Sequence, residues 1–181
     1  MVDFNNLKEN TIEFPNEWTF LWSPEEASQI SDEHKDQIFF LNTKASIFID
    51  EYFNSSKISK SWAEPINDLY FGKIEKYRVT ENIENLKKWL FNRKIPFDQF
   101  VFLNRDRSNN IVMLTWKMVV KYCEGIFFSE DLYIFDKSLN WSLFYYHEDE
   151  ITFGSNKIYD KEIYYKKTET NNELKLKYNL K

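Results

Sequence analysis

Leu132-Tyr133-Ile134-Phe135-Asp136-Lys137-Ser138-Leu139-Asn140-Trp141-Ser142-Leu143-Phe144-Tyr145-Tyr146 reads as a β-hairpin. Two short runs rich in aromatic and β-branched residues flank five residues of turn chemistry, which predicts strands over Leu132 to Phe135 and Trp141 to Tyr146. Working downstream, Ile151 to Phe153 adds a fifth strand after the acidic turn Glu148-Asp149-Glu150. Working upstream, Gln99 to Leu103 and Ile111 to Leu114 are strands joined by the polar connection Asn104 to Asn110. Strand pairs joined by short connections imply an antiparallel sheet. The expectation is an α+β fold, with four to six strands in the C-terminal half and helices packed mainly on one face. Ile158 to Tyr165 alternates, and reads either as a sixth strand or as an extension.

Helix signals lie mostly before the sheet. Ser23-Pro24-Glu25-Glu26 combines a cap, a first-turn proline and early acids, and opens a helix to about Ile30. Ile38, Leu41, Ala45, Phe48, Ile49 and Tyr52 recur at helical spacing, which places a helix within Glu33 to Asn54; a break near Asn42 stays open. Thr80-Glu81-Asn82-Ile83-Glu84 starts another, with Ile83, Leu86 and Leu90 on one face, ending before Pro96. Thr115 caps a short helix to Lys121 or Cys123, with Gly125 placed to terminate it. Glu17 to Trp22 reads as an extended segment. Asn54 to Val79 carries no clear period, and Trp62 and Leu69-Tyr70-Phe71 read there as anchors.

The chain has 181 residues, the size of one domain, with 43% hydrophobic and 19% aromatic residues. Residues 1–181 are therefore expected to form one domain, with a loose N-terminus over about 1–16 and a basic tail over about 166–181. The net charge is −5, unevenly spread: Asn156 to Lys181 holds seven lysines against four acids, a net +3, leaving −8 for the remainder. Such a body repels nucleic-acid phosphate and anionic lipid and attracts basic partners. A single cysteine, Cys123, excludes an intrachain disulfide. No signal-like or membrane-spanning run is legible, so the chain is expected to stay in the cytoplasm, bind no nucleic acid and enter no membrane.

No nucleophile elbow, P-loop or dinucleotide-binding glycine pattern occurs, and no cofactor is expected. Cys123 follows Lys121-Tyr122 near a helix end, where a thiolate is disfavoured, and reads as a buried structural thiol. His34 lies among charged residues and reads as surface. His147-Glu148-Asp149-Glu150 carries metal-type ligands, yet four consecutive residues on a turn cannot converge on one ion. The ordinary alternative is a solvated acidic turn. Glu130-Asp131 and Glu148-Asp149-Glu150 should meet at one sheet end, because residues before one strand and after its hairpin partner do so. A small metal-dependent or two-carboxylate enzyme centred on His147, Glu148, Asp149 and Asp131 is one reading of that arrangement. A pocket for a small aromatic-stacking ligand is another. The third is a protein-binding surface. Between Glu124 and Glu150 there are seven acids and one lysine, and Glu130, Asp131, Glu148, Asp149 and Glu150 flank Tyr133, Tyr145 and Tyr146 in a way that fits a basic partner.

Over Phe100 to Ser155 the order Phe100-Val101-Phe102-Leu103, Thr115-Trp116, Gly125-Ile126-Phe127-Phe128, Asp131 to Phe135 and Trp141 to Glu150 resembles bacterial toxin-immunity proteins. These include the kind that protects against contact-dependent growth-inhibition toxins. The resemblance covers about a third of the chain. It implies an acidic, cytoplasmic, non-enzymatic protein that binds a cognate toxin domain, such as a nuclease, and blocks it. The family has no shared binding motif, so it assigns no residue a role here.

Overall fold

The computed structural model describes residues 2–14, 30–60, 64–80, 82–105, 110–128, 130–162, 165, 166 and 169. The extended segment at Glu17 to Trp22, the helix opened at Ser23-Pro24, Trp62, the centre of the Asn104 to Asn110 connection and most of the basic tail lie outside the described residues.

Seven strands form one sheet, entirely antiparallel: β1 (Ile38–Phe40), β2 (Phe71–Arg78), β3 (Phe100–Arg105), β4 (Val112–Thr115), β5 (Leu132–Phe135), β6 (Trp141–Tyr146) and β7 (Glu150–Lys157). Their spatial order is β1-β4-β3-β5-β6-β7-β2. The fold is α+β, with more strands than the four to six expected. β5 and β6 coincide with the hairpin that decided the class, in the register Leu132 opposite Tyr145 and Phe135 opposite Ser142.

Both additional strands are edges. β1 falls where helical spacing placed a helix. Its three residues pair with β4, and Asn42 then caps the true helix, α2 (Thr43–Ser55), by accepting from the Ala45 amide at 3.0 Å. The Asn42 break is therefore real, and the tertiary pairing overrides the local period. β2 occupies the stretch without a clear period, Asn54 to Val79. An edge strand exposed on both faces has no need to alternate, and its Lys73, Glu75, Lys76 and Arg78 deter pairing with other chains.

Alternation along the strands makes two hydrophobic layers. On one face Val101, Leu103, Leu114, Ile134, Leu143 and Ile151 pack against α3 (Ile83–Phe91), α4 (Trp116–Lys121) and α5 (Cys123–Ile126). Trp116 is fully buried here, and its ring lies edge-on to Trp141 at 5.6 Å. On the other face Phe102, Met113, Phe135 and Phe144 meet Ala45, Ile49 and Phe53 of α2. Each such ring or branched chain contributes about 1.5–3 kcal/mol when fully buried. Three helices thus share one face, and the longest covers part of the other.

Several local expectations are corrected. Residues 2–14 are not loose: Leu7 is 3% exposed, Phe4 packs edge-on against Phe48 and Tyr52, and Ile12 donates to the Phe40 carbonyl at 2.9 Å. Gly125 lies inside α5 rather than ending α4. Ile158 to Asp160 follow β7 without strand pairing, and Lys161, Glu162, Tyr165 and Lys166 are helical, so no strand spans Ile158 to Tyr165. His34, in α1 (Asp32–Lys35), is not merely surface: its Nδ1 lies 2.7 Å from the Tyr122 hydroxyl, tying α1 to the α4–α5 junction.

Gly154 explains how the loop before β2 crosses the second face. A Cβ there would lie 2.7 Å from Ile66 Cγ2 and would also strike the Phe71 ring. Only glycine permits that approach.

Candidate functional site

The hairpin β6–β7 turns through His147, Glu148 and Asp149, with Tyr146 opposite Glu150. A three-residue turn of this kind ends in the left-handed region, and Asp149 takes it with φ 63°. Aspartate tolerates that conformation better than most side chains. The acidic character of the turn thus has a local structural cause as well as a possible functional one.

Sheet geometry brings the expected acids together. Asp131, just before β5, receives the His147 amide at 2.9 Å, and its Oδ1 lies 2.7 Å from His147 Nδ1. Glu130 faces the Arg105 guanidinium at 3.5 Å, and Glu150 pairs with Lys76 of β2 at 2.6 Å. Glu148 and Asp149 remain exposed. Three of the five acids are therefore already partnered, and the exposed carboxylates are concentrated on the turn tip.

Two of the three tyrosines expected beside them, Tyr133 and Tyr145, are not surface anchors. Tyr145 is 1% exposed, stacks edge-on against Phe127 at 5.5 Å, and donates to Asp149 Oδ1 at 3.3 Å. Burial, reinforced by the Asp149 charge, raises its phenol pKa. Tyr133 is partly buried against Phe53 and Phe144 and donates to the Pro65 carbonyl at 3.2 Å, and burial raises its pKa as well. Strand alternation points Tyr145 into the sealed core, and the next residue takes the outward place. Tyr146, at 37% exposure, lies against the His147 ring with centroids 4.4 Å apart.

Tyr146 opens onto a feature that the sequence did not disclose. Helix α2 stops short of β7 and β2, leaving a trough of about 600 Å³ over Ile74, Phe144, Tyr146 and Thr152. Glu64 and Pro65 form one bank, while Asp131 and the Glu150–Lys76 pair line the acidic end. Ile74 is 38% exposed on its floor. The signal available in the sequence was the Ile74 and Tyr146 pair, hidden because β2 was not recognised as a strand.

The other candidate chemistry is dispersed. Among the described residues no group of three or more histidine, cysteine, aspartate or glutamate side chains is arranged to hold a metal ion. His147 and Asp131 touch, but Glu148 and Asp149 do not join them. Cys123 is fully buried, and burial pushes its thiol up to about 11, which disfavours the thiolate that chemistry would need. Among the described residues no helix is long and apolar enough to cross a membrane. Compared with known proteins, the chain matches no family model, no curated protein and no solved structure.

Proposed function

We propose that this protein is a non-enzymatic inhibitor of the immunity type, acting in the cytoplasm by binding a basic cognate toxin domain, such as a nuclease. The observation that carries the reading is the joining of exposed acids at the β6–β7 turn to an open, apolar-floored trough with Tyr146 and Ile74 exposed. Interfaces of this kind draw affinity from a few aromatic and aliphatic anchors and association rate from complementary charge. Of the three tyrosines read as anchors, Tyr146 keeps the role, while Tyr133 and Tyr145 are occupied in the core. Glu148 and Asp149 steer the partner, while Asp131 holds the turn through His147.

The test is co-expression with the product of the adjacent upstream gene. A one-to-one complex that abolishes the toxicity of that product supports the reading. Survival of toxicity, with both proteins folded and abundant, contradicts it.

A further inference from the structure

The end of the sheet opposite the acidic turn holds a second cavity, of about 720 Å³, within the usual size range of small-ligand sites. Three segments enclose it: the N-terminal turn and 3-10 helix around Phe4 to Lys8, the α3–β3 connection from Arg93 to Gln99, and the β5–β6 turn. Phe100, Phe102, Met113 and Trp141 give it an apolar, largely aromatic wall. Its charges run against those of the molecule as a whole. Lys8, Arg93, Lys94 and Lys137 line it, against the single carboxylate of Asp136, in a chain of net charge −5.

The cations are not equivalent. Arg93 is held by Glu75 at 2.5 Å and lies over the Trp89 ring, and Lys8 lies over the Phe39 and Phe100 rings. Among the described residues the ammonium groups of Lys94 and Lys137 have no ion-pair partner. Asp136 is 3% exposed and already accepts from Ser138, Leu139, Gln99 and Trp141, so its lone pairs are committed to the wall. Lys94 and Leu139, in two of the enclosing segments, both take positive φ, 58° and 52°. Non-glycine residues persist in that region only where surrounding structure over-determines them. The cavity rim is therefore built rather than slack.

We propose that this cavity binds a small aromatic anion, its ring against the apolar wall and its charge between Lys94 and Lys137. The apolar wall supplies affinity, and the ammonium groups of Lys94 and Lys137 select a negative head. This site stands apart from the protein-binding reading and does not depend on it.

The probe is anilinonaphthalene sulfonate, compared with uncharged phenylnaphthylamine, by fluorescence titration of the folded full chain. The sulfonate is expected to saturate at one per chain and to bind about tenfold more tightly than the neutral ring. The double variant Lys94→Glu/Lys137→Glu should weaken the sulfonate about tenfold or more while leaving the neutral probe and the melting temperature unchanged. The control pair Lys121→Glu/Lys161→Glu, on exposed residues that do not line the cavity, should change neither. The proposal is overturned by absence of saturable sulfonate binding, by equal affinity for the two probes, or by equal losses in the cavity and control variants.

Discussion

Asp136 in the β5–β6 turn and Asp149 in the β6–β7 turn lie at opposite ends of the same strand. Asp136 is buried and accepts five hydrogen bonds, two of them from the side chains of Gln99 and Trp141. Asp149 is exposed, and among the described residues its side chain accepts only the Tyr145 hydroxyl, at 3.3 Å. Both read in sequence as acids in a polar turn. The difference is that one turn folds back over core residues, with Leu139 and Trp141 buried beside it, while the other projects from the sheet. An acid at the first end is structure, and an acid at the second is surface available to a partner.

Replacing Asp136 strikes that contrast hardest. Asp136→Ala strands the Trp141 indole N–H, the Gln99 amide and the Leu139 amide, and is expected to cost about 4 kcal/mol in chemical denaturation. A loss below about 1 kcal/mol would remove the distinction between the turns. Next comes Gly154→Ala, which forces a methyl group into Phe71 and Ile66 and should cost about 2–3 kcal/mol, read in the same way. That variant separates the packed part of the second face from the open trough beside it. Glu148→Lys/Asp149→Lys should leave stability within about 0.5 kcal/mol while slowing association with a basic partner about tenfold at low salt. Stopped-flow or surface-binding kinetics measure the rate, and the gap between variant and parent should narrow as salt rises.

The smallest effect is a pH dependence. The Lys73 ammonium, and after it the Arg93 guanidinium, hold the Glu75 carboxyl below its ordinary range. A carboxyl lowered in the folded state contributes stability above its unfolded value and loses it as pH falls through the folded one. Glu75→Gln should therefore be less stable at neutral pH and show a shallower loss on acidification, read by chemical denaturation across the acid range. An acid limb as steep in Glu75→Gln as in the parent would mean that the Lys73 and Arg93 contacts do not stabilise the β2 edge.

Central strands were legible because each has one face in each hydrophobic layer, so Leu132 to Phe135 and Trp141 to Tyr146 declare their length in residue type alone. The edges were not. Ile38 to Phe40 is too short to show a period, and along Phe71 to Arg78 only Phe71 is fully buried. The site was half legible for the same reason. Strand alternation brings Asp131 to His147 at the β6–β7 turn, while pairing Glu130 with Arg105 of β3. It also sends Tyr145 inward and Tyr146 outward, a choice that turns on register, and aromatic residues at both positions conceal it. The cavity around Asp136 was invisible, since three segments far apart in sequence enclose it.

The most direct measurement is hydrogen exchange on the complex formed with the co-expressed basic partner, compared with the free protein. Protection confined to Tyr146–Glu150 and the β2 edge, with Arg93 to Gln99 and the β5–β6 turn unchanged, is the expected result. Protection at the Asp136 end, with the acidic turn still exchanging freely, would contradict the assignment of the binding surface to the acid-rimmed trough.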